Sequence, residues 1–182
     1  SQGKTATMKS SGNTADASKT VDGDYNTMAE GTSGTGTTEW VVDLEEKSTL
    51  KGIQISWYLI KGSEPYYPYK VYGSQDGSSW TEIADHSGLP QSNNTVDYGF
   101  AYTELKGNFR YVKLEILAAI PQNNLNNRFN TARLWEVKVL GAPYDSSQEG
   151  AAATGIETEL PKLVAARVGQ PAENLPEKDT VK

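Results

Sequence analysis

The chain has 182 residues, and its 17 basic and 23 acidic side chains give a net charge of −6, which works against binding a phosphate backbone or anionic lipid and so argues against nucleic acid and membrane as partners. That length holds one domain with a sizeable core plus an extension, but not two full domains. Cysteine is absent, so disulfides, thiolate metal sites and a thiol nucleophile are excluded.

In chain order, the recurring signal is alternation of apolar and polar residues, which places successive side chains on opposite faces of a strand. Trp40, Val42 and Leu44 fall on one face, then Ile53, Ile55 and Trp57, then Tyr69 and Val71. The Asp76-Gly77 pair between Tyr72 and Trp80 predicts a tight hairpin, because both residue types tolerate positive φ. Val96, Tyr98 and Phe100 alternate next, followed by Val112, Leu114 and Ile116, and by Trp135-Glu136-Val137-Lys138-Val139. Many short strands separated by turns, with no long helical period before residue 142, predict an all-β antiparallel sandwich or barrel. No apolar run reaches the ~20 residues of a membrane helix, and Ser1-Gln2-Gly3-Lys4 does not open a signal peptide, so a secreted parent would carry its signal elsewhere.

After Gly141 the composition turns to a linker, Tyr144-Asp145-Ser146-Ser147-Gln148-Glu149-Gly150-Ala151-Ala152-Ala153, which sets the expected domain at 1–142 and a linker and tail at 143–182. The tail, with Pro161, Pro171 and Pro176, has too few apolar residues for its own core. It reads either as a plain extension or, through Val168-Gly169 and Leu175-Pro176, as similar to the start of a bacterial immunoglobulin-like module.

Lys19-Thr20-Val21-Asp22-Gly23-Asp24-Tyr25-Asn26-Thr27 packs carboxylates and hydroxyls around a glycine. By itself this is either a turn with solvated carboxylates or a loop offering the oxygens that a hard cation requires. Asp85-His86-Ser87 holds the residue types of a hydrolytic triad, but neighbours in sequence cannot point at one another in a relay, and a surface turn is the expectation. No phosphate loop, zinc-ligand spacing or dinucleotide fingerprint occurs.

Taken together, residues from about Thr5 to Gly141 resemble the discoidin-like family, also called coagulation factor five/eight type C, and within it family 32 carbohydrate-binding modules. The marks are Asp22-Gly23-Asp24 with Thr27, Trp40-Val41-Val42-Asp43-Leu44, Ile53 to Trp57, Tyr69 to Gly77 with Trp80, Arg110-Tyr111-Val112-Lys113-Leu114, and Leu134 to Val139. The resemblance implies a jelly-roll sandwich and a structural calcium held by Asp22, Thr27 and Glu136, with carbonyls of Lys19, Asp24 and Trp135. It also places carbohydrate recognition on loops at one end, at 31–38, 58–68, 89–95 and 120–131.

A sugar site needs an aromatic platform and forked polar groups. Within those loops, Tyr58, Tyr66, Tyr67, Asn124, Asn127, Arg128 and Phe129 are the candidates, although each tyrosine can equally be packed around Pro65 and Pro68, and the asparagines can form a plain polar loop. Galactose-binding relatives carry a histidine and an arginine after the second tryptophan, and this chain carries neither there. The expected function is a non-catalytic, monomeric module that docks a larger secreted or cell-surface bacterial protein, a glycan-degrading enzyme, onto a polysaccharide or glycan beside that protein's other modules. An adhesion module for a protein or host surface and a spacer without ligand remain alternatives.

Overall fold

The structure is a computed structural model and describes residues 1–11, 13–32, 36–59, 65–88 and 100–148. The chain divides into two compact units, Ser1–Tyr144 and Asp145–Lys182. Of the second, only a short 3-10 turn at Ser146–Gln148 is described, so the readings of Pro161, Val168-Gly169 and the rest of the tail lie outside the described residues, as do Val96 and Tyr98.

The first unit is an antiparallel β-sandwich. Its strands are β1 (Thr5–Ser10), β2 (Asn13–Ala15), β3 (Ala29–Thr32), β4 (Thr38–Trp57), β5 (Pro65–Tyr66), β6 (Tyr69–Ser74), β7 (Thr81–His86), β8 (Phe100–Glu104), β9 (Asn108–Ile116), β10 (Ile120–Pro121) and β11 (Thr131–Pro143). Among the described residues the remaining elements are 3-10 turns.

Alternation at 40–44 and at 53–57 predicts separate strands, yet both belong to the single strand β4. Its first half lies between β1 and β9, its second half pairs with β11 and β8, and the register shifts between Asp43 and Ser48. Glu45 in that break adopts φ 71°, a left-handed backbone that lets the strand pass from one layer to the other. The core fills the space between the layers: Trp40, Val42, Ile53, Ile55, Val71, Val112, Leu114, Val137 and Val139 are all buried, which is the period-2 pattern of a strand with one wet face. Trp40 keeps its indole N–H satisfied by donating to Thr20 Oγ1 at 2.8 Å.

The expected hairpin joins β6 to β7, although residues 75–80 make a broader connection than a tight turn. Gly77 has φ +74°, and Asp76 Oδ1 accepts from the N–H groups of Ser78 and Ser79 at 2.8 Å. Those bonds hold the Asp76 carboxyl well below the usual carboxylate range.

Strand registers decide which loops share an end. Thr38 lies opposite Ser10 and Ile116, Tyr69 opposite Ile116 and His86, and Thr131 opposite Thr32. The connections after β1, β3, β7 and β9 therefore emerge at one end of the sandwich.

Candidate functional site

At that end three chain segments are tied together. Ile120 pairs with Tyr66 and Pro121 with Pro65, while the Tyr66 hydroxyl donates to Gly88 O at 2.9 Å. Ala119 and Phe129 exchange both backbone hydrogen bonds, at 2.7 and 2.8 Å, and close the segment between them into a loop. Inside it Asn124 N–H donates to Pro121 O and Asn127 N–H to Asn124 O, at 3.1 and 3.0 Å. The amide oxygens of Asn124 and Asn127 accept from the N–H groups of Asn126 and Arg128, at 3.2 and 3.1 Å, which is how asparagine stabilises a turn.

What remains outward is the Arg128 guanidinium, the asparagine NH2 groups and the Phe129 ring. Phe129 is 50% exposed, and Arg128 is exposed. The residues at 33–35, 60–64 and 89–95 of the expected loops lie outside the described ones.

The seven candidate ligand residues thus separate. Asn124, Asn127, Arg128, Phe129 and Tyr66 share the loop end. Tyr67, also expected there, is a correction: it is 2% exposed, its ring stacks on Trp57 at 4.5 Å and 11°, and its hydroxyl donates to Tyr58 O at 3.1 Å. Burial pushes its phenol far up. Adjacent residues of an extended segment face opposite ways, and Tyr67 is the one turned inward. The Tyr58 ring goes elsewhere, packing against Trp135 at 5.3 Å with the Arg133 guanidinium 5.8 Å from its centroid.

The second assembly is the loop at 19–27 with Glu136. The Thr27 hydroxyl lies 2.8 Å from Asp22 Oδ2, 3.1 Å from Asp24 O and 3.4 Å from Lys19 O, yet it has one proton to give. Glu136 is 1% exposed; its Oε1 accepts from Gly23 N–H at 2.7 Å, and its Oε2 is buried with no hydrogen-bond partner. Burial pushes the Glu136 carboxyl up, the Gly23 N–H opposes that, and the Asp22 carboxylate beside it pushes it up again. Asp22 is held low by the Asp24 N–H and then the Thr27 hydroxyl.

Oxygens therefore outnumber protons around Thr27 and Glu136, which is the imbalance a hard cation corrects. Among the described residues no three His, Cys, Asp or Glu side chains cluster for a metal; the donor set here is carboxylates with a hydroxyl and carbonyls. Trp135 is the extra residue of a bulge between Leu134 and Glu136 in the pairing with β4. Burial changes phase across the bulge, with Ala132 and Leu134 before it and Val137 and Val139 after it facing the core. Glu136 therefore points away from Val137 as expected, but shares the non-core side with Trp135 instead of opposing it.

Asp85, His86 and Ser87 form no relay. Asp85 Oδ1 accepts from Ser87 N–H at 2.8 Å and Oδ2 pairs with Lys70 at 3.1 Å. His86 Nε2 meets Thr103 Oγ1 at 3.2 Å, and its ring stacks on Tyr69 at 5.0 Å. Glu30, Arg133 and the side chain of Trp135 are not among the residues expected at a site; Trp135 is marked only by strand alternation and its expected carbonyl, and Glu30 lies in β3, which shows no apolar period. None of the chain's described helices is long and apolar enough to cross a membrane.

Fold and site together define a β-sandwich module that presents the described loop at 119–129 at one end. The F5/8 type C domain model matches residues 3–131, and the chain belongs to that family. Chitosan-binding module 1 from a chitosanase/glucanase of Paenibacillus sp. IK-5 is similar in structure, with 21% identity over 77% of this chain and 96% of that one and a TM-score of 0.57. CpGH89CBM32-5 from Clostridium perfringens, solved with GalNAc-β-1,3-galactose, has 16% identity over 75% and 94% and a TM-score of 0.57. A pectin-binding carbohydrate-binding module has 17% identity over 82% and 91% and a TM-score of 0.54. No curated protein sequence matches the chain.

Proposed function

We propose that this chain is a non-catalytic carbohydrate-binding module that attaches a larger extracellular bacterial protein, a carbohydrate-active enzyme, to a polysaccharide or glycan. The observation that carries this reading is the loop end, where Phe129 stands 50% exposed next in sequence to an exposed Arg128 that has no ion-pair partner among the described residues. A large ring beside a fork of donors matches the C–H face and hydroxyl rim of a sugar. The similarity to modules described as chitosan-binding and pectin-binding, and to one solved with GalNAc-β-1,3-galactose, supports the ligand class. A shallow exposed site of this kind binds weakly, and avidity from neighbouring modules of the parent chain compensates.

Calcium is the proposed structural cation. Asp22, Thr27 and Glu136 would hold it together with the carbonyls of Lys19, Asp24 and Trp135, and the excess of oxygens around Thr27 and Glu136 supports that donor set. When bound, it neutralises the carboxylates and fastens the loop at 19–27 to β11.

A glycan array probed with the whole chain in calcium tests the reading. Binding to at least one glycan, weakened by Arg128→Ala and by Phe129→Ala without loss of stability, is the expected result. Retention by a protein partner and by no glycan would replace it with the adhesion reading.

A further inference from the structure

The non-core side of β3, β11 and the end of β4 carries a group of side chains that includes neither Arg128 nor Phe129. Glu30 and Arg133 are cross-strand partners in the β3–β11 register, and Arg133 Nε donates to Glu30 Oε2 at 2.5 Å. Tyr58 lies at the end of β4, its N–H donating to Arg133 O at 3.0 Å. Trp135 follows two residues after Arg133, displaced by the bulge at Leu134/Glu136. Bulges re-aim side chains and are enriched beside functional sites. The Tyr58 and Trp135 rings lie 5.3 Å apart at 53°, and both are partly exposed.

Tyr72 and Trp80, on the other layer, have Lys113 Nζ 4.8 Å from each ring centroid, so a cation already sits over both faces. Over Trp135 there is no cation among the described residues, whereas over Tyr58 the Arg133 guanidinium lies 5.8 Å from the centroid, at the outer edge of cation–π range, with its ion pair to Glu30 drawing it aside.

We infer that Tyr58, Trp135, Arg133 and Glu30 form a second carbohydrate-contact surface, on the flank of the sandwich, for a neutral hexopyranose unit of a polysaccharide. The rings take the C–H face of the sugar. The ion pair leaves guanidinium N–H donors and the second carboxylate oxygen side by side, and a hydroxyl, being donor and acceptor at once, satisfies both. Because Arg133 and Glu30 cancel, the patch gives an ionised sugar no net attraction; a uronate meets Glu30 and a protonated amino sugar meets Arg133. This inference rests on the carbohydrate-binding reading, but uses residues separate from Arg128 and Phe129.

Affinity electrophoresis of the whole chain in calcium tests it, with hydroxyethylcellulose, galactomannan and xyloglucan as neutral probes, polygalacturonate as the acidic one and glycol chitosan as the basic one. The wild type is expected to be retarded by a neutral gel, and Trp135→Ala and Tyr58→Ala each to weaken that by about tenfold or more, the loss that follows from uncovering one aromatic contact. Trp135→Phe, which keeps a ring, should stay within about threefold. Melting temperature with and without calcium separates this loss from unfolding; if Trp135→Ala is unstable, Trp135→Phe and Tyr58→Ala decide. Neutral-gel affinity untouched by Tyr58→Ala and Trp135→Ala but removed by Phe129→Ala would overturn the flank surface and leave the carbohydrate reading standing. Retardation by charged gels alone overturns the flank surface as well. Retardation by none of the five overturns the flank surface, and the glycan array then decides separately whether the carbohydrate reading stands.

Discussion

The loop at 19–27 and the loop at 120–129 are built from similar residues and end in opposite electrostatic states. Both are polar turns in which Asp or Asn side chains cap backbone N–H groups. In the second loop the amide oxygens already accept from backbone, so what faces solvent is donors and a ring. In the first, acceptors crowd around one hydroxyl and a buried carboxylate, Glu136, whose Oε2 has no partner. The difference comes from burial. A carboxylate inserted from β11 beneath a glycine turn cannot be solvated, which supports the proposed cation there, whereas an exposed loop closed on its own backbone keeps its outward groups for a partner. In the proposed reading one loop secures the fold and the other meets the ligand.

Separating stability from binding in this way makes a test of the loop end itself the largest expected contrast. Tyr67→Ala should cost about 4 kcal/mol of folding stability, as for other buried aromatic truncations, while Phe129→Ala should cost far less, about 1 kcal/mol or under, because Phe129 is half exposed and lies outside the core. Denaturant titration of both variants measures this, and a similar loss from each would erase the distinction between the buried and the presented ring.

Glu136→Ala comes next. In calcium it should destabilise the chain by about 3 kcal/mol, the scale for breaking a buried charge pairing, and abolish the fall in melting temperature that chelator causes. Arg128→Ala should keep the wild-type chelator response. If Glu136→Ala still responded fully to chelator, the cation would have to lie elsewhere.

The smallest expected effect concerns Asp85, which lies in neither loop and serves as a control for ordinary surface charge. The Ser87 hydroxyl and N–H, with Lys70, hold its carboxyl down from 3.8 to about 2. A carboxyl lowered in the folded state contributes stability above its unfolded value that is lost as pH falls through the folded one. Wild type should therefore lose slightly more stability than Asp85→Asn between pH 3.8 and about 2, read by thermal melts across that window. Equal losses would show that the exposed Lys70 pairing adds nothing measurable, as is common at surfaces.

Much of the sandwich is legible in the chain because strands with one wet face must alternate, and Trp40, Val42, Ile53, Ile55, Val112 and Leu114 do so. β1 and β3 escape that reading: along β1 only Met8 is fully buried, and β3 turns just Ala29 and Gly31 inward, so neither shows an apolar period. Asp22, Thr27 and Glu136 can be paired through family pattern, but separation along the chain hides the buried, partnerless oxygen that gives the pairing its physical reason. Tyr66 and Tyr67 look interchangeable as letters, and only the packing of Tyr67 against Trp57 separates them.

The sequence by itself determined the all-β class, the apolar faces of the main strands and the oxygen-rich turn, since these follow from local periodicity and residue chemistry. Tertiary structure decided the rest. The break at Glu45 carries β4 between layers, the β5–β10 pairing joins the loops at 65–66 and 120–121, and the bulge at Trp135 sets its ring beside Tyr58. Register and burial arise from contacts between distant segments, and no local pattern encodes them.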